Sequence, residues 1–292
     1  MADSGLRVYL ASGSRAEDAG YQTAADIALL CAQAGIEYRL IGGLAVSLVH
    51  AAHGSPGDLP ARQTADADLG ADDHAVAASG LDALLLEQGY RQAQGNRFVK
   101  GDGAQARAID ILIPSAGGQL TTNVPCGPLT VDAIPGLRLA LTTDPQPLSL
   151  TVRLSTGETL ETNLQLPQII PAIVLKAYAL GARSAERDLL DLWKLLESAR
   201  SAGISAADWH PVHAQKQDAL RPPRTKRDPS NERRRQHRAG KGLATREDRG
   251  PRASTCVGTQ VNDAQRLVAA PVTARLLLSY DSRDALIGAV MR

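Results

Sequence analysis

The sequence predicts an α/β (α+β) fold: a small mixed β-sheet flanked by helices, followed by a helical C-terminal part. Three observations predict it. Segments of helical and strand periodicity alternate through the first 165 residues. The run Ala108-Ile109-Asp110-Ile111-Leu112-Ile113 has the β-branched composition of a largely buried strand. Beyond Pro167 strand patterning gives way to two helical stretches, the order expected when helices close over one end of a sheet.

Taken in chain order, residues 22–36 form an amphipathic helix stopped by Gly35. Tyr38-Arg39-Leu40-Ile41 is a short strand, and Gly42-Gly43 turns it into a second helix from Leu44 to about Ala52. His53 to Gln63 is a loop rich in Gly and Pro, and Thr64 to Gly70 is a strand. Ala75 to Gly89 reads as one helix, with Leu81, Leu84, Leu85 and Gln88 at helical spacing. Strands are then expected at Arg97–Lys100, Arg107–Pro114, Leu137–Thr142, Leu148–Leu154 and Glu158–Leu164. Helices follow at Ile169–Leu180 and Ala185–Ala199. The division is a core domain at 1–165, a helical region at 166–213, an Arg/Pro/Gly-rich segment at 214–260 and a short helical tail at 261–292. The third of these is nearly free of large apolar side chains, which predicts a disordered stretch. An evolved basic arm and a frameshifted coding sequence both fit so abrupt a break.

Composition narrows the function classes. A chain of 292 residues that is 43% hydrophobic and 22% charged can bury a substantial core in one large or two small domains. Aromatic residues make up only 3%, which argues against a base-stacking platform for single-stranded nucleic acid. Cys31, Cys126 and Cys256 are far apart and the six histidines share no ligand spacing, so neither a disulfide framework nor a zinc site is expected. The opening Met-Ala-Asp-Ser-Gly lacks the pattern of a secretory leader, and no apolar run is long enough for a membrane span. The expectation is a cytoplasmic protein with no membrane partner.

The chemistry is concentrated in a few acids. Asp66 and Asp68 stand at i and i+2 of a strand, so their carboxylates share a face roughly 6–7 Å apart. Asp110 lies on the polar side of a strand whose other side carries Ile109, Ile111 and Ile113. An acid in such a run is costly unless it is paired, metal-bound or solvated. If the two strands are neighbours, three carboxylates converge. Oxygen ligands of this kind suit Mg²⁺, and two such ions about 3.5–4 Å apart clamp a transferring phosphoryl group. Upstream, Gly42-Gly43 at a strand-to-helix turn allows backbone N–H groups to approach a phosphate.

Gly42-Gly43, Asp66-x-Asp68 and Asp110 together resemble the signature of the DNA polymerase β-like nucleotidyltransferase superfamily. Arg62-x-Thr64-x-Asp66-x-Asp68 is similar to the Arg-x-Ser/Thr-x-Asp-x-Asp run of the AbiEii/MenT-type toxin nucleotidyltransferases. Lys176 and the Arg187-Asp188-Leu189-Leu190-Asp191-Leu192 stretch resemble their helical motifs. The resemblance covers about residues 25–200. It implies a Mg²⁺-dependent transfer of a nucleoside monophosphate from an NTP to a hydroxyl. Two Mg²⁺ ions would be held by Asp66, Asp68 and Asp110, with Asp110 also the base. Gly42, Gly43, Arg62, Thr64 and Lys176 would contact the nucleotide. Asp188 would be the active-site acid of the helical motif, with Arg187 placed to hold a carboxylate; helical geometry, apart from the resemblance, points Asp191 more toward water. The implied acceptor is an RNA 3′ end, such as tRNA, or a protein hydroxyl, and the implied role a toxin of a toxin–antitoxin or phage-defence system with a cognate antitoxin. Two alternatives stay open: an aminoglycoside-like small-molecule nucleotidyltransferase, and a catalytically silent binding module of the same fold.

Overall fold

The computed structural model describes residues 5–54, 65–183 and 185–209. Arg62 and Thr64 lie outside the described residues, as do the Arg-rich segment and the C-terminal tail.

The described residues open with a strand, β1 (Leu6–Ala11), in which Leu6, Val8 and Leu10 alternate with the more exposed Arg7, Tyr9 and Ala11. Helix α1 (Arg15–Ala34) then begins seven residues earlier than periodicity from residue 22 implies. Its start is set by Ser14, whose hydroxyl accepts from the Glu17 N–H at 3.2 Å, while the Glu17 carboxylate accepts from the Gly13 N–H at 2.6 Å. That is a reciprocal cap built on a Ser-x-x-Glu pattern. Gly35 ends the helix in the left-handed conformation, φ 65°.

Next come β2 (Tyr38–Ile41), α2 (Gly42–Ala52) and β3 (Asp66–Ala71). The single helix expected over 75–89 is two, α3 (Asp73–Ala78) and α4 (Leu81–Glu87), separated at Gly80 with φ 68°. A residue in that conformation breaks the helical path, and the leucine spacing alone does not reveal it. There follow β4 (Arg91–Gln94), β5 (Arg97–Lys100), β6 (Arg107–Pro114), β7 (Thr121–Cys126) and β8 (Leu129–Ile134). Leu137–Thr142, expected as a strand from its alternating leucines, is a short helix, α5. Leu137 and Ala140, three apart, both point inward. The buried Arg39 guanidinium donates to the Thr143 carbonyl at 2.7 Å and the Leu141 carbonyl at 3.4 Å, securing the C-terminal end of α5. The remaining elements are β9 (Gln146–Arg153), β10 (Thr159–Leu166), α6 (Ile169–Arg183) and α7 (Glu186–Ser201). Among the described residues, no helix is long and apolar enough to cross a membrane.

Among the described residues the architecture is mixed α/β with two sheets. The first is three-stranded, in the order β1-β9-β10, with β1 parallel to β9 and β9 antiparallel to β10. The second has seven strands along the path β2-β3-β6-β5-β4, and β8 takes over the pairing of β6 at Leu112–Pro114 with β7 beyond it. Helix α1 packs against β3, β6 and β10. It joins Ile27 and Leu30 to Ile109 and Ile111 in the main core. Burying each of those isoleucines contributes about 1.5–3 kcal/mol, which fixes the face of β6 that turns inward. On the other face a smaller cluster of Ile41, Leu137 and Ala140, joined by Leu112, Ile134 and Leu175, covers the sheet at one end. The carboxylates are on that second face, beyond the edge of this cover.

Candidate active site

Strands β3 and β6 are adjacent and parallel, and their register sets Asp66 opposite Ala108 and Asp68 opposite Asp110. The neighbouring β5 sets Arg97 opposite Asp110 from the other side. One row across the sheet therefore reads Asp68, Asp110, Arg97, with Asp66 two residues back on β3. The isoleucines of β6 force this arrangement: with Ile109 and Ile111 in the core, Asp110 must face the opposite way.

Arg97 was not among the residues that sequence reasoning selected, yet it organises the group. Its Nη1 lies 2.6 Å from Asp110 Oδ2 and its Nη2 lies 3.0 Å from Asp66 Oδ1. The guanidinium forks across two carboxylates on two strands, which its planar geometry favours. Burial pushes the Asp110 carboxyl above its ordinary range, and the charges of Asp66 and Asp132 push the same way, against the pull of Arg97. Burial also works against the Arg97 charge, but Asp110 and Asp66 outweigh it and hold the guanidinium firmly cationic. Asp132 on β8 accepts from the Asn123 N–H at 3.1 Å. Asn123 sits at a β7 irregularity with φ 58°.

Gly42 closes the site on the β2 side. Ile41 is the register partner of Asp68, and Gly42 follows with φ 77° as the first residue of α2. A Cβ there would lie 1.8 Å from Asp68 Oδ2. Only glycine permits both the left-handed turn and the close approach of the carboxylate. No side-chain hydrogen bond caps α2, whose N-cap residue is Ile41, the register partner of Asp68. Gly43 is buried in the first turn of that helix.

A second charged group lies on α6 and α7, and here the structure corrects two expectations. Asp191 does not point to water: it is fully buried, and its Oδ2 lies 2.8 Å from Lys176 Nζ. The residue that holds Asp188 is not Arg187, which is exposed, but Arg183, donating from Nε at 3.1 Å and Nη2 at 3.0 Å. Lys176 is itself buried and also approaches Asp188 at 3.5 Å. Two fully buried carboxylates thus meet a buried ammonium and a half-exposed guanidinium. The preceding residue, Leu175, packs into the cluster containing Ile41, so α6 is anchored beside the Gly42 turn.

His50 and His53 take no part in either group. His50 Nδ1 is 3.3 Å from the Lys194 carbonyl and 3.3 Å from Ser198 Oγ, and the Ser201 hydroxyl donates to the His53 carbonyl, so both residues tie α2 to α7. Cys31 and Cys126 are buried thiols.

With Arg97 in place, no three His, Cys, Asp or Glu side chains among the described residues are arranged as ligands of one metal ion. The donor chemistry nevertheless suits a divalent cation. Three carboxylates with hard oxygen donors lie on two neighbouring strands, Gly42 lets one of them pack against the α2 turn, and a cationic fork already answers the charge of the other two. Comparisons with protein-family models, curated proteins and solved structures find no significant match to this chain.

Proposed function

We propose that the protein is a Mg²⁺-dependent nucleotidyltransferase of the polymerase β-like type, moving a nucleoside monophosphate from an NTP to a hydroxyl acceptor. The observation that carries this reading is the register of Asp68 against Asp110 on parallel neighbouring strands, with Gly42 folded against Asp68. Asp66, Asp68 and Asp110 are the residues that would hold the metal. When bound, Mg²⁺ supplies charge neutralisation and orientation for the triphosphate. The N–H groups at the start of α2 receive phosphate oxygens. Asp110 accepts the proton of the attacking hydroxyl, a role its burial favours. The hydroxyl oxygen bonds to the α-phosphorus, the bond to the bridging oxygen breaks, and pyrophosphate leaves with the electron pair.

Lys176 and Asp188 belong to this reading as supports of the nucleotide side of the site. The buried ion pairs hold α6 and α7 together next to the Gly42 turn. The acceptor we favour is an RNA 3′ end, as in toxin nucleotidyltransferases. That choice rests on the Arg62-x-Thr64-x-Asp66-x-Asp68 pattern.

A second reading, a catalytically silent module, has one observation in its favour: Arg97 already satisfies Asp66 and Asp110. One experiment separates the two. Each labelled NTP is incubated with total RNA, with and without Mg²⁺, using wild type and Asp68→Asn. Mg²⁺-dependent label transfer with pyrophosphate release, lost by about 10³-fold in the variant, is the expected result. No transfer from any NTP to RNA, protein or small-molecule acceptors, or equal transfer by the variant, removes the catalytic reading.

A further inference from the structure

Arg97 sits inside the carboxylate group, and the reaction above leaves it without a task. Its position is specific. It comes from β5 and lies in register with Asp110, and it reaches Asp66 on β3 across the intervening β6. Both contacts are charge-assisted and short, at 2.6 and 3.0 Å. The side chain remains about one-third exposed, so it is not sealed in place, and Asp110 is more deeply set at 19% exposed. An oxygen on Asp66 and one on Asp110 are engaged by the fork. A divalent ion using those carboxylates must therefore compete with the guanidinium.

Resting on the nucleotidyltransferase reading, we propose that Arg97 is a built-in counter-cation that yields to the metal and then becomes a positioning residue for the triphosphate. The two events are linked by charge. Once a divalent ion takes Asp66 and Asp110, the guanidinium loses both anionic partners and is repelled by the new cation at short range. The anion that arrives with the metal is the NTP. A planar fork of N–H donors matches phosphate oxygens as it matches carboxylates. The same residue thus makes the site weak for metal alone and ready for metal with nucleotide. This differs from a purely structural ion pair, which predicts that removing Arg97 harms the site in every respect.

The test uses Mn²⁺ as a spectroscopic probe on the full chain, titrated by electron paramagnetic resonance, with melting curves in EDTA and in Mn²⁺. Wild type is compared with Arg97→Gln, Asp68→Asn and Arg91→Gln. Arg91 stands on the adjoining strand, is exposed and pairs only with the exposed Asp102 among the described contacts, so its variant makes the same charge change away from the site. Arg97→Gln is expected to bind Mn²⁺ at least about tenfold more tightly than wild type and to gain more melting temperature from Mn²⁺. Arg91→Gln should stay within about twofold of wild type. In steady-state assays at saturating Mg²⁺, Arg97→Gln is expected to show an NTP KM raised about tenfold. Equal or weaker Mn²⁺ binding in a folded Arg97→Gln, equal tightening in Arg91→Gln, or an unchanged NTP KM overturns the proposal and leaves the metal site standing. If neither wild type nor Arg97→Gln binds Mn²⁺ in a manner sensitive to Asp68→Asn, the metal-site reading itself fails, and this proposal with it.

Discussion

A Cβ placed on Gly42 would stand 1.8 Å from Oδ2 of Asp68. No rotation of an alanine removes a Cβ, and the φ of 77° at Gly42 independently disfavours any L side chain. Gly42→Ala is expected to cost about 1–2 kcal/mol from the backbone alone and to push Asp68 out of its row with Asp110. Denaturant unfolding measures the first effect. Mn²⁺ affinity, falling by about tenfold or more, measures the second. A variant with wild-type affinity would show that Asp68 has freedom that the close approach does not suggest.

Lys176 gives a different kind of prediction, and a reversal. Read from sequence, a lysine on a helix invites the expectation that Lys176→Met would spare the fold and touch only nucleotide binding. The structure places that ammonium between two fully buried carboxylates, at 2.8 and 3.5 Å. Methionine would remove the ammonium that both carboxylates meet, leaving Asp188 its contact with Arg183. Breaking a buried pair from one side typically costs about 3–5 kcal/mol. Lys176→Met should therefore lower the melting temperature sharply, and Lys176→Met with Asp191→Leu should recover part of the loss. An unchanged melting temperature in the single variant would mean that the ion pairs contribute little to stability.

Legibility in the sequence followed the strength of the local signal. The face of the Asp110 carboxylate is legible because the isoleucines on either side of it belong to the core, whereas the parallel pairing of the two acidic strands is a long-range property that the sequence offers only as a condition. Arg97 was missed because nothing in Asn96-Arg97-Phe98-Val99 marks the arginine; its meaning comes from the β5–β6 register, a long-range property. The Ser14-Arg15-Ala16-Glu17 start of α1 was readable as a cap and overlooked, since the apolar period becomes regular only later. Leu137–Thr142 was misread because alternating leucines fit a strand as well as one helical turn, and Gly136 with φ 83° decides between them. Asp191 was assigned to solvent by helical geometry alone, which cannot show that α6 packs over that side and brings Lys176 with it.

Arg39 supplies a third prediction, from β2, where it is the register partner of Gly70. Fully buried, it donates to the Tyr38 carbonyl at 2.8 Å and to the Thr143 carbonyl at 2.7 Å, and meets Glu37 at 3.1 Å. Glu37 is largely exposed, so most of the anchoring falls on carbonyl oxygens. Arg39→Met should loosen α5 and, through Leu137, the cluster around Ile41 that backs the Gly42 turn. The expected loss is about 2–4 kcal/mol, from carbonyls left without a charged donor. Amide exchange checks it: protection should fall first in residues 137–143. Uniform loss across the chain would instead mark Arg39 as a general core residue with no special hold on α5.

The last prediction concerns acid stability and Asp18. This carboxylate is on α1 and nearly inaccessible. Burial opposes its charge, but hydrogen bonds from the Ser155 hydroxyl and N–H, with the nearby Ser12 hydroxyl and the Arg15 charge acting the same way, outweigh that cost and hold its pKa below the ordinary value. The Ser155 N–H bond is 2.9 Å and joins residues 137 apart, pinning α1 to the turn between β9 and β10. The sign follows from linkage. A carboxyl whose folded pKa is depressed binds fewer protons in the native state than in the unfolded state between the two values. Its contribution is therefore complete above the unfolded value near 3.9 and is lost as pH falls through the folded one. Asp18→Asn keeps the shape but removes the charge, so it should lower stability at pH 7 and flatten the decline of wild-type stability below about pH 4. Urea unfolding of both proteins from pH 7 to pH 3 provides the measurement. Parallel curves for the two proteins would place the acid sensitivity in other carboxylates and leave Asp18 a neutral hydrogen-bond acceptor.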